Sequence, residues 1–141
     1  MADLTITAAN VATGTDAKTA NGTAGATITA GQALYIDATD SNKIKLADAN
    51  ASLATSALVG VSLHAALSGQ PITYQISGEM NPGATLAVGT IYVLSATAGG
   101  IAPAAPGVTD LATGMYTNIV GIGKTATNMK LVIATAGVAV P

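Results

Sequence analysis

The chain repeats itself, and this repeat constrains its fold more than any other feature of the sequence. Residues 25–38 read GATITAGQALYIDA, and residues 83–96 read GATLAVGTIYVLSA. Residues 58–61, LVGV, are echoed by residues 119–122, IVGI. Matches that recur in the same order at a similar spacing indicate that one structural unit is present twice.

The two halves also end in the same way. Each runs through a second apolar stretch to a glycine, Gly78 in the first half and Gly137 in the second. Residues 25–78 and 83–137 therefore form two copies of one unit of about 54 residues. With 141 residues, the chain is long enough to bury a core as a single domain.

Strand signals dominate both halves. Residues 43–46, KIKL, alternate strictly between lysine and an apolar residue, as a half-buried strand requires. Asp40, Ser41 and Asn42 supply turn chemistry before this run, so residues 32–46 are predicted to form a hairpin. About ten short strands with turn signals between them predict an all-β fold, a small antiparallel β-sandwich or barrel built from two duplicated β-units.

One detail of the repeat is irregular. Tyr35 lies four residues after Gly31, whereas Tyr92 lies three residues after Gly89. Because side chains alternate between the two faces of a strand, a slip of one residue would turn Tyr92 to the opposite face. We expect a β-bulge to absorb this slip if both tyrosines serve the same core.

Residues 1–24 are predicted to form an extended N-terminal arm, followed by a single β-domain over residues 25–141. Residues 4–7, LTIT, alternate as a short strand does, but residues 8–24 contain almost no large apolar side chain. Such a segment buries too little surface to offset the entropy lost on ordering. We therefore expect the arm either to order against a partner or to stay mobile.

Charge and hydropathy exclude several classes of function. The chain has five lysines, no arginine and a net charge of -2, so it lacks the basic stripe with which nucleic-acid binders contact phosphates. Its mean hydropathy is +0.52, but Thr, Ser, Gly and Pro interrupt every apolar run, so no membrane-spanning segment is expected. Without cysteine there is no disulfide and no thiolate zinc site. The first residues lack a basic region, so we expect no secretory signal.

Few residues are candidates for reaction chemistry. His64 is the only histidine, and Ser62 and Ser68 lie near it, but a hydrolytic triad also needs an orienting acid within reach. Residues 37–42, DATDSN, cluster oxygen ligands without the spacing of a calcium loop, which favours a plain turn. We therefore expect no catalytic residue, no cofactor and no metal site, and the chain is interpreted as a non-enzymatic protein.

Several short runs follow one another in a familiar order along residues 22–137. They include GATITAGQALYIDA, KIKLADA, ALVGVSLHAALSGQPITYQISGE and GTIYVLSATAGGIAPAA. In this order the runs resemble bacteriophage capsid decoration proteins, also called cement or head-stabilisation proteins, of the DUF2190-type family.

The resemblance implies a virion structural protein on the outer capsid surface of a tailed phage. Its partner would be the major capsid protein, whose lattice it would stabilise against the pressure of packaged DNA. The resemblance also implies a homo-oligomer, with a trimer favoured, and no enzymatic activity. Because an extended arm can add a strand to a partner, we expect the capsid to be contacted by Leu4, Thr5, Ile6 and Thr7. Deletion of residues 2–20 is then expected to leave the domain folded and to weaken capsid binding.

Two other interpretations stay open. A tail, baseplate or fibre module of a phage would have a similar composition, although fibres usually carry long repetitive stretches. A carbohydrate-binding β-module is the second, and such modules stack sugars on exposed aromatic rings. The chain has no tryptophan, and predicted strands, where core packing is the expected role, contain Tyr35, Tyr74, Tyr92 and Tyr116.

Overall fold

The fold is nearly all β, as the sequence predicts. In the computed structural model, which describes residues 3–107 and 111–141, strands make up 46% of the chain and helices 7%. The paired strands are antiparallel to one another, and they form one sheet that curls into a half-barrel.

The elements follow one another in three groups. The N-terminal segment contributes a 3-10 turn at Ala8–Asn10 and two strands, β1 (Val11–Thr13) and β2 (Lys18–Thr23). The first half contains β3 (Ala33–Asp37), β4 (Lys43–Leu46), α1 (Leu53–Ser56), β5 (Gly60–Ser62) and β6 (Pro71–Pro82). The second half contains β7 (Ile91–Leu94), β8 (Ile101–Pro103), α2 (Ala104–Gly107), β9 (Tyr116–Gly123) and β10 (Met129–Ala139).

The order of the strands shows that the two halves share one topology. Across the sheet the strands run β4-β3-β5-β6-β10-β9-β7-β8. From its outer end inward, the second half therefore runs β8-β7-β9-β10, which matches β4-β3-β5-β6 strand for strand. The halves meet where β6 pairs with β10, with Met80 opposite Met129. This connectivity supports a fold built from one duplicated unit.

The echoed LVGV and IVGI motifs occupy equivalent places in the two halves. Leu34 of β3 pairs with Gly60 of β5, and Tyr92 of β7 pairs with Gly121 of β9. A Cβ atom added at either glycine would overlap a carbonyl oxygen of the next strand, at 2.5 Å in the case of Gly60. The strands can approach this closely only because glycine has no side chain.

A β-bulge lies next to Tyr92, with its extra residue, Val120, on β9, and Tyr92 pairs with Gly121 as Leu34 pairs with Gly60. The pairing of β7 with β9 shifts register between Tyr92 and Val93. Tyr35 and Tyr92 both lie in the same buried cluster, with exposed fractions of 8% and 3%. The predicted hairpin is also confirmed, because Ser41 and Asn42 adopt the left-handed backbone that a tight turn between β3 and β4 requires.

Buried apolar side chains form two clusters. The larger one, the shared core, draws on both halves and includes Tyr35, Leu58, Met80, Tyr92, Val120 and Met129. The smaller one, the first-half core, contains Ala24, Ile28, Leu34, Ile44, Ala66, Ile72 and Tyr74. In the part of the chain that the structure describes, the second half has no such cluster of its own. The second half nevertheless buries the cross-strand pair Val93 and Ala102 outside both clusters.

The N-terminal arm is part of the sheet, which corrects the expectation that it waits for a partner or stays mobile. β2 pairs with residues 71–77 of β6, and β1 pairs with residues 80–82. At the start of the arm, the Leu4 N–H donates a hydrogen bond to the Ile101 carbonyl at 2.7 Å. The arm thus orders through backbone hydrogen bonds to its own chain, which do not depend on large apolar side chains.

β6 changes partners at a glycine. Gly78 has a φ angle of +85°, and a Cβ atom there would overlap the backbone of Asp16. Before Gly78, β6 is paired with β2 and β5, and from Gly78 onward it is paired with β1 and β10. The counterpart of this residue in the second half, Gly137 near the end of β10, has a φ angle of +72°.

Candidate docking surface

The second half leaves part of its outer face uncovered. Ile91 of β7 and Ile122 of β9 are cross-strand partners, and they are 42% and 39% exposed. The equivalent pair in the first half, Ala33 and Val61, is fully buried. The same place in the repeated unit is therefore core in the first half and surface in the second.

This apolar surface continues across three strands. Ile91, Ile122 and Val132, which is 41% exposed on β10, form what we call the outer stripe. Val88 lies at its end in the turn before β7 and is 71% exposed. Lys130, which is paired with Ile122, is the charged residue beside the stripe. Adjacent exposed apolar side chains of this kind mark surfaces that contact other proteins.

One edge of β10 lacks a partner strand beyond the stripe. β6 pairs with β10 only over residues 129–131, whereas β9 follows β10 as far as Ala139. Among residues 3–107 and 111–141, no backbone hydrogen bond from a turn or loop reaches residues 132–139. We call residues 132–139 on this side the β10 edge.

The four predicted capsid contacts of the arm divide into two kinds. Leu4 is half-buried against the shared core, and Ile6 is half-buried beside Gly83. Thr5 and Thr7 are exposed, and they line a shallow polar cleft of about 210 Å³ together with Asn10, Asn81, Gly83, Ala84, Thr85 and Thr127. Of the predicted set, the two threonines are therefore the side chains that a partner can reach.

His64 has a structural role in the pairing of β5 with β6. Its Nδ1 donates a hydrogen bond to the Ala65 carbonyl at 2.9 Å, and its Nε2 accepts one from the Thr73 N–H at 3.0 Å. The Ser62 hydroxyl does not face the imidazole but donates to the Thr29 carbonyl at 2.6 Å. The geometry therefore does not bring His64 and Ser62 together as a base and a nucleophile.

A lysine ammonium lies between the carboxylates of the DATDSN turn. Lys45 Nζ is 2.7 Å from Asp37 Oδ2 and 3.0 Å from Asp40 Oδ2. The hydrogen bond from Lys45 lowers the pKa of Asp37 from 3.8 to about 2, and the hydrogen bond from Thr39 contributes a smaller part of this shift. Among the described residues, no group of three or more His, Cys, Asp or Glu side chains could hold a metal ion. The Lys45 ammonium therefore balances the charge of these carboxylates, in the place that a bound metal ion would take.

Asp37→Asn is expected to flatten the acid dependence of stability. Because the folded state holds the pKa of Asp37 near 2, against an ordinary 3.8, ionised Asp37 stabilises the fold above about pH 4. That contribution is lost as the pH falls toward about 2. Thermal melts across this range should show the variant below the wild type near neutral pH and level with it at the acid end. A gap in melting temperature that stays constant with pH would contradict this explanation.

The tyrosines mostly face inward. Tyr35, Tyr74 and Tyr92 are buried, and Tyr116 is half-buried. The Tyr92 hydroxyl accepts a hydrogen bond from the Ala87 N–H at 2.9 Å. Burial raises the pKa of Tyr35 and that of Tyr74. Rings packed in this way have little free face on which a sugar could stack, so the carbohydrate-binding interpretation loses its main structural basis.

Comparison with known proteins does not identify a family for this chain. None of the helices in the described part of the chain is long and apolar enough to cross a membrane. No protein-family model matches the chain. No curated protein matches it either.

Proposed function

We propose that this protein is a virion structural protein that binds the outer surface of a tailed-phage capsid and stabilises the lattice of the major capsid protein. The observation that carries the proposal is the outer stripe, an apolar surface at a place that the first half of the same chain buries. A β-scaffold that keeps such a surface exposed is suited to docking on another protein. The resemblance of the sequence to capsid decoration proteins suggests that this other protein is the major capsid protein.

Charge distribution supports contact through apolar groups and backbone. Charged residues make up 9% of the chain. Three of the five lysines, Lys43, Lys45 and Lys124, are already paired with carboxylates of Asp37, Asp40 and Glu79. Docking should therefore depend only weakly on salt concentration. Modest affinity per subunit is sufficient on a capsid, because many copies bind the same lattice at once.

A tail, baseplate or fibre module remains the competing proposal, because the same apolar surface would serve attachment elsewhere on a phage particle. The two proposals predict different locations. A decoration protein stays with heads after tails are removed, whereas a tail module leaves with the tails. Purified heads are therefore the binding target that separates them.

Replacing the centre of the outer stripe with charge is expected to abolish binding to heads. The double variant Ile91→Lys/Ile122→Lys places two ammonium groups where an apolar contact is proposed, and we expect occupancy on heads to fall at least about tenfold. Both side chains are already about 40% exposed, so the fold should be retained. Co-sedimentation of the purified protein with heads measures the occupancy.

Ile36→Lys/Ile76→Lys is the matched control. These two isoleucines are 40% and 37% exposed, which is close to the exposed fractions of Ile91 and Ile122. They lie on β3 and β6, in the first half of the chain. The control variant should bind heads as the wild type does. Equal occupancy for the stripe variant and the control would contradict the assignment of the stripe as the docking surface.

A further inference from the structure

The first residues of the arm are attached to the domain by fewer hydrogen bonds than the rest of the arm. Residues 3–10, which we call the strap, precede β1 and lie outside the strands. The Leu4 N–H donates to the Ile101 carbonyl at 2.7 Å. The Thr7 N–H donates to the Gly83 carbonyl at the same distance. β1 and β2 are instead paired with β6 along their whole length, so the strap can open without breaking that pairing.

One isoleucine anchors the strap. A Cβ atom added at Gly31 would lie 2.6 Å from Ile6 Cγ2, and a Cβ atom added at Gly83 would lie 3.2 Å from it. Both glycines have positive φ angles, +82° and +81°. Ile6 therefore fits between the two backbones only because neither residue carries a side chain. Beside it, Leu4 packs partly buried against the shared core.

The other side of the strap is loosely packed. The polar cleft of about 210 Å³ separates Thr5 and Thr7 from the loops of the second half. The turn at Ala8–Asn10 has no buried residue, so it can act as a hinge. Among the described residues, Asp3 Oδ1 is buried without a hydrogen-bond partner. Opening of the strap would hydrate this oxygen, which offsets part of the apolar burial that is lost.

The first half shows that the repeated unit can close without a strap. There the Gly25 N–H donates directly to the Ile44 carbonyl at 2.8 Å. Ile44 of β4 and Ile101 of β8 are equivalent positions of the repeat. In the second half the Ile101 carbonyl accepts from Leu4 instead, and the strap lies between β8 and Gly83, the counterpart of Gly25. The strap is therefore an addition to a unit whose other copy closes without one.

We propose that the strap is a latch that opens as one unit about the turn at Ala8–Asn10, while β1, β2 and the rest of the domain stay folded. Opening frees residues 4–7, which alternate as a strand does, together with the carbonyls of Gly83 and Ile101. Both sets of backbone groups then become accessible to a strand of a partner. This inference goes beyond docking through the outer stripe and does not depend on it, because opening is a property of the isolated chain.

Backbone amide hydrogen exchange of the full chain, followed by NMR, tests the latch. We expect the Leu4 and Thr7 amides to have protection factors within about twofold of each other, because one opening event exposes both. These factors should be at least about a hundredfold below those of Ile28 and Ala66, whose amides donate to each other's carbonyls. Ile6→Ala should lower protection at Leu4 and Thr7 together by about tenfold, because it removes the anchor.

Ile133→Ala is the control, because Ile133 is also half-buried but packs against the shared core from β10. It should lower protection at Ile28 and Ala66, which exchange through unfolding of the whole domain, and leave the strap amides unchanged. Three results would overturn the inference. They are strap amides that lose protection together with the core amides in the control, a Leu4 amide far less protected than that of Thr7, and no effect of Ile6→Ala. The second of these would indicate fraying residue by residue instead of a latch.

Discussion

A chain that lacks residues 2–23 is expected to be unfolded under conditions in which the full chain is stable. The deletion removes β1 and β2, which pair with β6 over residues 71–77 and 80–82. It also uncovers Ile72 and Tyr74, which lie in the first-half core. Each backbone hydrogen bond contributes about 1 kcal/mol, and with the lost apolar burial the cost should exceed about 5 kcal/mol. A loss of that size is comparable with the whole stability of a domain.

This prediction reverses what the sequence indicates, namely that residues 2–20 can be removed from a folded domain. Circular dichroism and a thermal melt of the truncated chain measure the outcome. A peptide of residues 3–24, added in excess, should restore the strand signal, and a scrambled peptide of the same composition should not. A truncated chain that melts cooperatively within a few degrees of the full chain would show that the arm contributes little to the fold.

Gly60→Ala and Gly121→Ala are each expected to lower the stability of the fold strongly. At both positions a Cβ atom would overlap a carbonyl oxygen on the neighbouring strand, which is main chain and cannot rotate away. The strands must then move apart, and we expect the free energy of unfolding to fall by about 3 kcal/mol for either variant. Similar losses at the two positions would also show that these glycines play the same part in both halves.

Gly89→Ala separates this steric effect from backbone conformation. Gly89 has a φ angle of +79°, but nothing lies within 4 Å of a Cβ atom added there. Its substitution should therefore cost only the conformational preference of glycine, about 1 kcal/mol. Urea denaturation of the three variants compares the losses. If Gly60→Ala costs no more than Gly89→Ala, the close approach of the strands does not depend on the missing side chain.

Local signals in the sequence carry the part of the fold that could be predicted. Turn residues at 40–42 and the alternation of residues 43–46 define the β3–β4 hairpin without reference to the rest of the chain. The unequal spacing from Gly31 to Tyr35 and from Gly89 to Tyr92 indicates an irregularity beside Tyr92, where the pairing of β7 with β9 contains a bulge. Such features depend on neighbouring residues, so the sequence alone is sufficient to predict them.

The place of the arm could not be predicted, because its stability comes from main-chain hydrogen bonds. Residues 8–24 have few large apolar side chains, and composition reports only on side chains. The arm pairs with β6, which lies about fifty to seventy residues away along the chain, and main-chain donors and acceptors are alike from residue to residue. The local sequence of such a segment therefore does not reveal whether its backbone pairs with another strand.

The outer stripe depends on how the sheet curls, which the repeat alone does not reveal. One available signal is a difference between the halves, since buried Ala33 corresponds to exposed Ile91. A large apolar residue in place of a small one usually indicates a larger core, and only the structure shows that it faces outward. The free β10 edge is similar, because it follows from where β6 turns away at Gly78, and β10 itself has an ordinary strand sequence.

Quantitative mass spectrometry of purified virions, and of their heads after DNA and tails are removed, tests the central claim most directly. Under the proposal a tailed phage encodes this chain, and the particles are those of that phage. The proposal predicts that the protein is present in a fixed ratio to the major capsid protein, and that this ratio is the same in virions and in stripped heads. Recovery of the protein with the tail fraction, or its absence from particles, would contradict a role in capsid decoration.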